Sequence, residues 1–291
     1  MVSEFKDFYK KFPYLDIKDL IIYYAIFDGY PLQNQINLSR DFNTVIQKEI
    51  LDKIESLKEY FIYDHMQENQ ELIEKILTRL SKGDRKNHNV YIKENIPQIK
   101  GRELFKHLFE IGEIQKEVSR EKPLRNSKNQ PLKKYLRRYK IQDKIHLKNN
   151  FTRFWFTFIS PELKKYNKIT LKSINQYLEK FISLEFEKLS NQLVAKDYKE
   201  IISSGSYWDK NVEIDLYIQT SNLKIAGEAK WKNSKICKNV LNSLQNKCKK
   251  ANLEIDRYIL FSKSGFSKEL ELKKARNVTL YDLEDFEKLL I

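Results

Sequence analysis

Glycine and proline are scarce in this chain of 291 residues, at 7 and 6, and cysteine is scarcer, at 2. So few glycines and prolines exclude collagen-like, linker-like and low-complexity architectures. They also exclude a Walker A loop, which needs two glycines five positions apart and then Lys. The glycines stand at 29, 83, 101, 112, 205, 227 and 265, and no two have that spacing. No ATP site is therefore expected. Cys237 and Cys248 cannot form a disulfide scaffold, and the four histidines (His65, His88, His107, His146) are scattered without zinc-ligand spacing. Both cysteines fall in a helical pattern and read as buried or partly exposed thiols and not as ligands. Long apolar runs are missing too. The longest, Leu20 to Phe27, covers eight residues, where a spanning helix needs about 20. The opening MVSEFKDFYKKF lacks the apolar core of a signal peptide. These absences point to the reducing cytoplasm and to no membrane partner.

Positive charge is abundant. Lys and Arg total 54 against 40 Asp and Glu, a net of +14. Residues 85–150 alone hold 18 basic and 7 acidic residues, a net of +11. Nucleic acid, duplex DNA above all, is the natural counterpart of such a segment. A solvated Lys-rich surface is the plainer use of the same charges. An apolar fraction of 41% supports ordinary cores, and the length suggests about two domains.

The first third reads as helical, with Ile46, Ile50, Ile54 and Leu57, then Leu72, Ile73, Ile76, Leu77 and Leu80, at helical spacing. Gly83 ends the second run. A short helix or turn at 90–99 and a helix at 101–111 follow. A strand from Ile114 to Val118, a polar tip with Pro123, Asn126, Asn129 and Pro131, and a strand from Tyr135 to Ile145 come next. This is the outline of a winged helix-turn-helix. It makes Arg102, Lys106 and His107 candidate DNA contacts on the recognition helix, and Lys133, Lys134, Arg137 and Arg138 candidates on the wing. The aromatic run Phe151 to Phe158 suits core packing better than base stacking. The polar stretch Pro161 to Lys168 marks a boundary. Three regions result: a helical part at 1–68, the winged helix at 69–160 and an α/β domain at 161–291. That last domain alternates a helix at 171–197, strands near 212–218 and 223–231, a helix at 235–250, a strand at 256–262, a short helix, a strand at 278–282 and a final helix, which implies a mixed sheet.

Chemistry concentrates in the pair of strands at its centre. A two-residue turn at Ser221-Asn222 sets Thr220 against Leu223. Asp215 then lies opposite Glu228 on one face, about 5 Å apart at Cβ, and Lys230 follows two residues on with its side chain on the same side. On the same alternation Val212, Ile214, Leu216 and Ile218 share the other face. Two facing carboxylates repel, and a hard divalent cation relieves that repulsion. Such an ion makes bound water a better nucleophile and neutralises a phosphate, while Lys230 orients or helps deprotonate that water.

Asp215 followed after a gap by Glu228-Ala-Lys230 resembles the PD-(D/E)xK restriction-endonuclease-like fold. The wider context, Gly205-Ser-Tyr-Trp208, Glu213-Ile-Asp215, Gly227-Glu-Ala-Lys-Trp231 and Tyr258 to Phe266, is similar to the C-terminal domain of the archaeal-type ATPase family. Tyr139 to Asp143 with Arg153-Phe-Trp-Phe156 resembles the linking segment of that family, and Ala25 to Pro31 its lid region. The resemblance implies a Mg²⁺ or Mn²⁺ site at Asp215, Glu228 and Glu187 on the preceding helix, with Glu185 a less suitable substitute, and Lys230 as a catalytic group. Two departures stand out. Asp28-Gly29-Tyr30 occupies the place of a Gly-Gly pair, and Ala229 that of a Cys. The P-loop core is missing, so the chain reads as a truncated copy or half of a split gene. The expectation is a DNA-binding, metal-dependent phosphodiesterase. The alternative is a non-catalytic DNA-binding or regulatory module that docks with a separate ATPase or partner protein.

Overall fold

A computed structural model describes the chain except residues 1–3, 33–34, 64–68, 84–86, 126, 128, 140, 166–168 and 273–276, with the backbone alone at 87–89 and 135. The predicted tip residue Asn126 and His65 lie outside the described residues. The chain divides into two compact units, residues 1–117 with 144–179 and residues 118–143 with 180–291.

The first unit is mostly helical: α1 (Glu4–Lys11), α2 (Ile17–Phe27), α3 (Phe42–Glu49), α4 (Ile54–Glu59), α5 (Gln70–Ser81), α6 (Asn87–Lys93) and α7 (Gln98–Glu110). A ribbon of β1 (Ile114–Glu117) and β2 (Lys144–Leu147), then α8 (Asn150–Phe154) and α9 (Ser160–Lys164), complete it before α10 (Leu171–Asp197) begins. Carboxylates start the early helices. Asp16 accepts from the Asp19 N–H at 2.7 Å and Asp41 from the Thr44 N–H at 3.1 Å, each satisfying a first-turn donor. The apolar run at 46–57 is broken by a 3-10 turn at Leu51–Lys53, so it forms two helices and not one. The aromatic run 151–158 is core: Phe151, Phe154, Trp155, Phe156 and Phe158 are buried, and Trp155 stacks on Phe61 with centroids 4.7 Å apart. Each such fully buried ring contributes roughly 1.5–3 kcal/mol of transfer free energy.

The second unit is built on a five-stranded mixed sheet, β3 (Ile201–Trp208), β4 (Glu213–Thr220), β5 (Lys224–Lys230), β6 (Arg257–Ser262) and β7 (Val278–Tyr281), in that spatial order. β3, β4 and β5 pair antiparallel, while β6 and β7 run parallel to β5. The helix α11 (Lys238–Lys250) carries the crossover from β5 to β6, and the short α12 (Lys268–Leu272) precedes β7. One face of the sheet, with Tyr207, Ile214, Tyr217, Ala226 and Leu260, packs on Leu241, Leu244 and Cys248 of α11. On α10, Phe186 stacks on Phe286 and meets Trp231 edge-on. β3 is absent from the strands expected above. Its Ser-Ser-Gly-Ser centre has little intrinsic strand preference, and pairing with β4 supplies what propensity does not. The expected last helix is a 3-10 turn at Glu284–Leu290.

The winged outline is altered most. Its second strand is not Tyr135 to Ile145 but Lys144–Leu147, pairing Ile114 with Leu147 and Glu117 with Lys144. A four-residue β1 can pair only four residues. The 26 residues between the strands leave the ribbon and belong to the second unit. There they find partners on the open edge of β3: the Arg120 N–H donates to the Ser206 carbonyl at 3.1 Å, and the Ser119 hydroxyl donates to the Trp208 carbonyl at 2.6 Å. The Trp208 N–H donates back to Ser119 Oγ at 2.9 Å, and its indole N–H to the Gln142 carbonyl at 2.8 Å. An edge strand is thereby covered by the chain itself. Gly205 permits the close approach. Its φ is +145°, and a Cβ there would stand 2.8 Å from the Arg120 Nε.

Candidate active site

The turn at Ser221-Asn222 forms as expected, with the Thr220 N–H donating to the Leu223 carbonyl at 2.9 Å. Leu216 pairs with Gly227 and Tyr217 with Ala226, so Asp215 comes next to Glu228 in the same register. The ladder with β5 stops there. On the other side of β4, Gly205 pairs with Tyr217 but Tyr207 with Ile214, so Ser206 alone opposes both Asp215 and Leu216. That is a β-bulge on β4, a device that re-aims a side chain. It also turns Ile214 and Tyr217 into one core cluster, contrary to the strict alternation expected for this strand.

The re-aimed carboxylate replaces a ladder bond. Asp215 Oδ2 accepts from the Ala229 N–H at 3.1 Å. The Lys230 ammonium lies 3.7 Å from the same oxygen and donates to Glu228 Oε1 at 2.7 Å. Asp215, Glu228 and Lys230 therefore converge. The two carboxylate side chains are 13% and 8% exposed and the lysine 35%, so the charges meet at the rim of the core. Burial, and then the Glu228 charge, push the Asp215 carboxyl up to about 6, against the pull of Lys230, the Ala229 N–H and Lys247. Burial alone would lower the Lys230 ammonium. Asp215, Glu228 and Glu187 outweigh it, so Lys230 stays above its ordinary value and is protonated at neutral pH.

Lys247 is the residue that strand geometry alone missed. From α11 it donates to both Glu228 oxygens, at 2.9 and 2.8 Å. The signal was weak: it lies three residues after the buried Leu244, on the shoulder of the helix's apolar face. Asn191 is the second. One turn beyond Glu187, its Nδ2 donates to the carbonyls of Glu187 and Asp215, each at 3.0 Å, and so ties α10 to the bulge. Glu187 sits within electrostatic reach of Lys230. Glu185 is buried and ion-paired with Lys188 at 2.8 Å. Among the described residues, no three His, Cys, Asp or Glu side chains gather closely enough to hold a metal ion. The converging set is two carboxylates with two ammoniums, and Glu187 does not complete a three-carboxylate cage.

The expected DNA contacts fall in different units. Arg102 and Lys106 are exposed on α7, His107 is half-buried, and Lys106 pairs with Glu110 at 3.7 Å. Lys133, Lys134, Arg137 and Arg138 are exposed on the excursion held by β3. Cys237 is exposed and Cys248 buried. Among the described residues, no helix is long and apolar enough to cross a membrane.

Residues 155–250, about a third of the chain, match DUF234, a family of archaeal and bacterial proteins of unknown function. The matched stretch contains Asp215, Glu228, Lys230, Lys247 and Asn191. No curated protein and no solved structure matches the chain.

Proposed function

We propose that the second unit is a metal-dependent phosphodiesterase of PD-(D/E)xK type acting on nucleic acid, in a chain related to the archaeal-type ATPases. The convergence of Asp215, Glu228 and Lys230 at a bulged strand carries the reading. Three features support it. The order α10, β3, β4, β5, α11, β6, with an antiparallel hairpin followed by a parallel strand, is the frame expected for that fold. The matched family segment spans the site. The two carboxylates form a hard, oxygen-only donor set, and burial, with the Glu228 charge second, raises Asp215.

That donor set fits Mg²⁺ or Mn²⁺ in the form that uses one or two carboxylates and leaves positions for water and a substrate phosphate. Asp215 and Glu228 would hold it, with Glu187 on α10, whose charge reaches Lys230, a further carboxylate. The bound ion would neutralise a phosphate and acidify a water. The remaining steps belong to the chain. The Ala229 N–H holds Asp215 in its aim, and Asn191 fixes the bulge. Lys230, protonated and partly exposed, places a positive charge where a phosphate enters and stabilises charge developing on it. Because it is protonated, it serves by charge and not as the base.

One observation favours a second reading. Lys247 and Lys230 already neutralise Glu228, so the site is electrostatically closed without an ion. A non-catalytic module that docks with a separate ATPase or regulatory protein would use such a closed core. Nicking of supercoiled plasmid with Mg²⁺ or Mn²⁺ separates the two. The phosphodiesterase requires metal-dependent nicking that falls at least tenfold in Asp215→Asn and Glu228→Gln. Absence of nicking, or equal nicking by the variants, removes it in favour of the docking module.

A further inference from the structure

The excursion at 118–143 carries nine Lys or Arg against two acids, a net of +7, half of the whole chain's excess in 26 residues. A strand or a core has no use for that composition. Its anchors on β3 are neutral, with Ser119 and Gln142 bonding the backbone and indole of Trp208, while inside the segment Tyr139 donates to Glu121 at 2.6 Å. The Arg137 Nε donates to the Leu132 carbonyl at 3.1 Å and closes the segment on itself. Among the described residues of the segment, Lys122, Lys133, Lys134 and Arg138 are exposed.

Where the excursion is anchored matters. It seats on Ser206–Trp208, the part of β3 directly across from the bulge that holds Asp215. Adjacent strands lie about 4.8 Å apart, so the covered edge is two spacings, about 10 Å, from Glu228 on β5. That is roughly three steps of a nucleic-acid strand at 3.4 Å each. The anchored part of the excursion lies one spacing further out, about 14 Å from Glu228, so a duplex bound on it reaches the carboxylate pair within a few base pairs. By contrast, α7 mixes Arg102 and Lys106 with Glu103 and Glu110, and Lys106 is already paired.

We propose that this excursion is the phosphate-binding strap of the second unit, gripping duplex DNA beside the Asp215–Glu228 pair. It is not the wing of a helix-turn-helix in the first unit. This rests on the phosphodiesterase reading for its substrate, but binding is measured separately from cleavage. The probe is a 30-bp DNA duplex, titrated at several salt concentrations in EDTA with the full chain. Each phosphate neutralised contributes about −0.9 to the slope of log K against log salt. The combined variant Lys133→Gln, Lys134→Gln and Arg138→Gln should flatten the slope by about 3, while Arg102→Gln with Lys106→Gln leaves it unchanged. Arg137 is kept because it holds the segment together, and unchanged Trp208 emission shows the strap still seated. A slope flattened by the α7 pair and not by the strap variant overturns the assignment, as does a slope that neither changes. If the strap slope falls but metal-dependent nicking is absent, the grip stands and the hydrolytic reading fails.

Discussion

Replacing Asp215 by Asn should stabilise the metal-free second unit at neutral pH, and the gain should vanish in acid. Asn keeps the oxygen that accepts from the Ala229 N–H and removes a charge that burial and Glu228 oppose. With the folded carboxyl at about 6 against an ordinary 3.8, the ionised form costs about 3 kcal/mol at most, at about 1.4 kcal/mol per pH unit. The sign follows from proton linkage. A carboxyl raised in the folded state holds its proton more tightly there, so the penalty is absent below about pH 4. It builds between 4 and 6 and is constant above. The assay is urea unfolding from pH 4 to 8 in EDTA, in a Trp155→Phe background so that Trp208 and Trp231 report the second unit. Other carboxylates titrate alike in both proteins, so the difference between them is the readout. An Asn variant less stable than its parent at pH 7, or a difference flat across the range, would refute the reasoning. It would mean that Lys230 stabilises the Asp215 charge more than burial opposes it. The same experiment with Mn²⁺ at about a thousand times its Kd should reverse the order, since an ion held by the carboxylates then adds about 4.1 kcal/mol to the parent alone.

Lys247→Met should tighten Mn²⁺ binding about tenfold by calorimetry, because one cation competing for Glu228 is gone; weaker binding would make Lys247 a support of the site instead. The same change should cost about 1–3 kcal/mol of stability in EDTA, since a buried carboxylate loses a bidentate partner. Ser119→Ala removes a hydroxyl that both donates to and accepts from the Trp208 backbone, and should speed proteolytic nicking within 121–139 several-fold while leaving the rest intact. Gly205→Ala should do likewise with a loss of about 1–3 kcal/mol, through positive φ and the clash with Arg120; an unaffected melting temperature would place the Arg120 side chain elsewhere.

Period-two alternation, a two-residue turn and the chemistry of Asp, Glu and Lys were enough to place Asp215, Glu228 and Lys230 together, because hairpin register is local. The same locality made α5, α7 and α11 readable from spacing, and the density of the 151–158 aromatics made their burial readable. What lies outside local pattern was decided by the tertiary structure. Whether Ser119 to Gln142 forms a wing or covers an edge depends on β3, a strand that propensity hides and pairing creates. The bulge that aims Asp215 depends on a mismatch of β3 and β4 that neither strand contains alone. The second cation on Glu228 arrives from α11, and the tie between Glu187 and Asp215 from Asn191 on α10. Charge and residue type determined that a basic segment and a pair of facing carboxylates are present. Only the packing of elements distant in sequence decided which unit holds the basic segment and what already sits against the carboxylates, because those contacts are set by competition for unpaired backbone groups and buried charge.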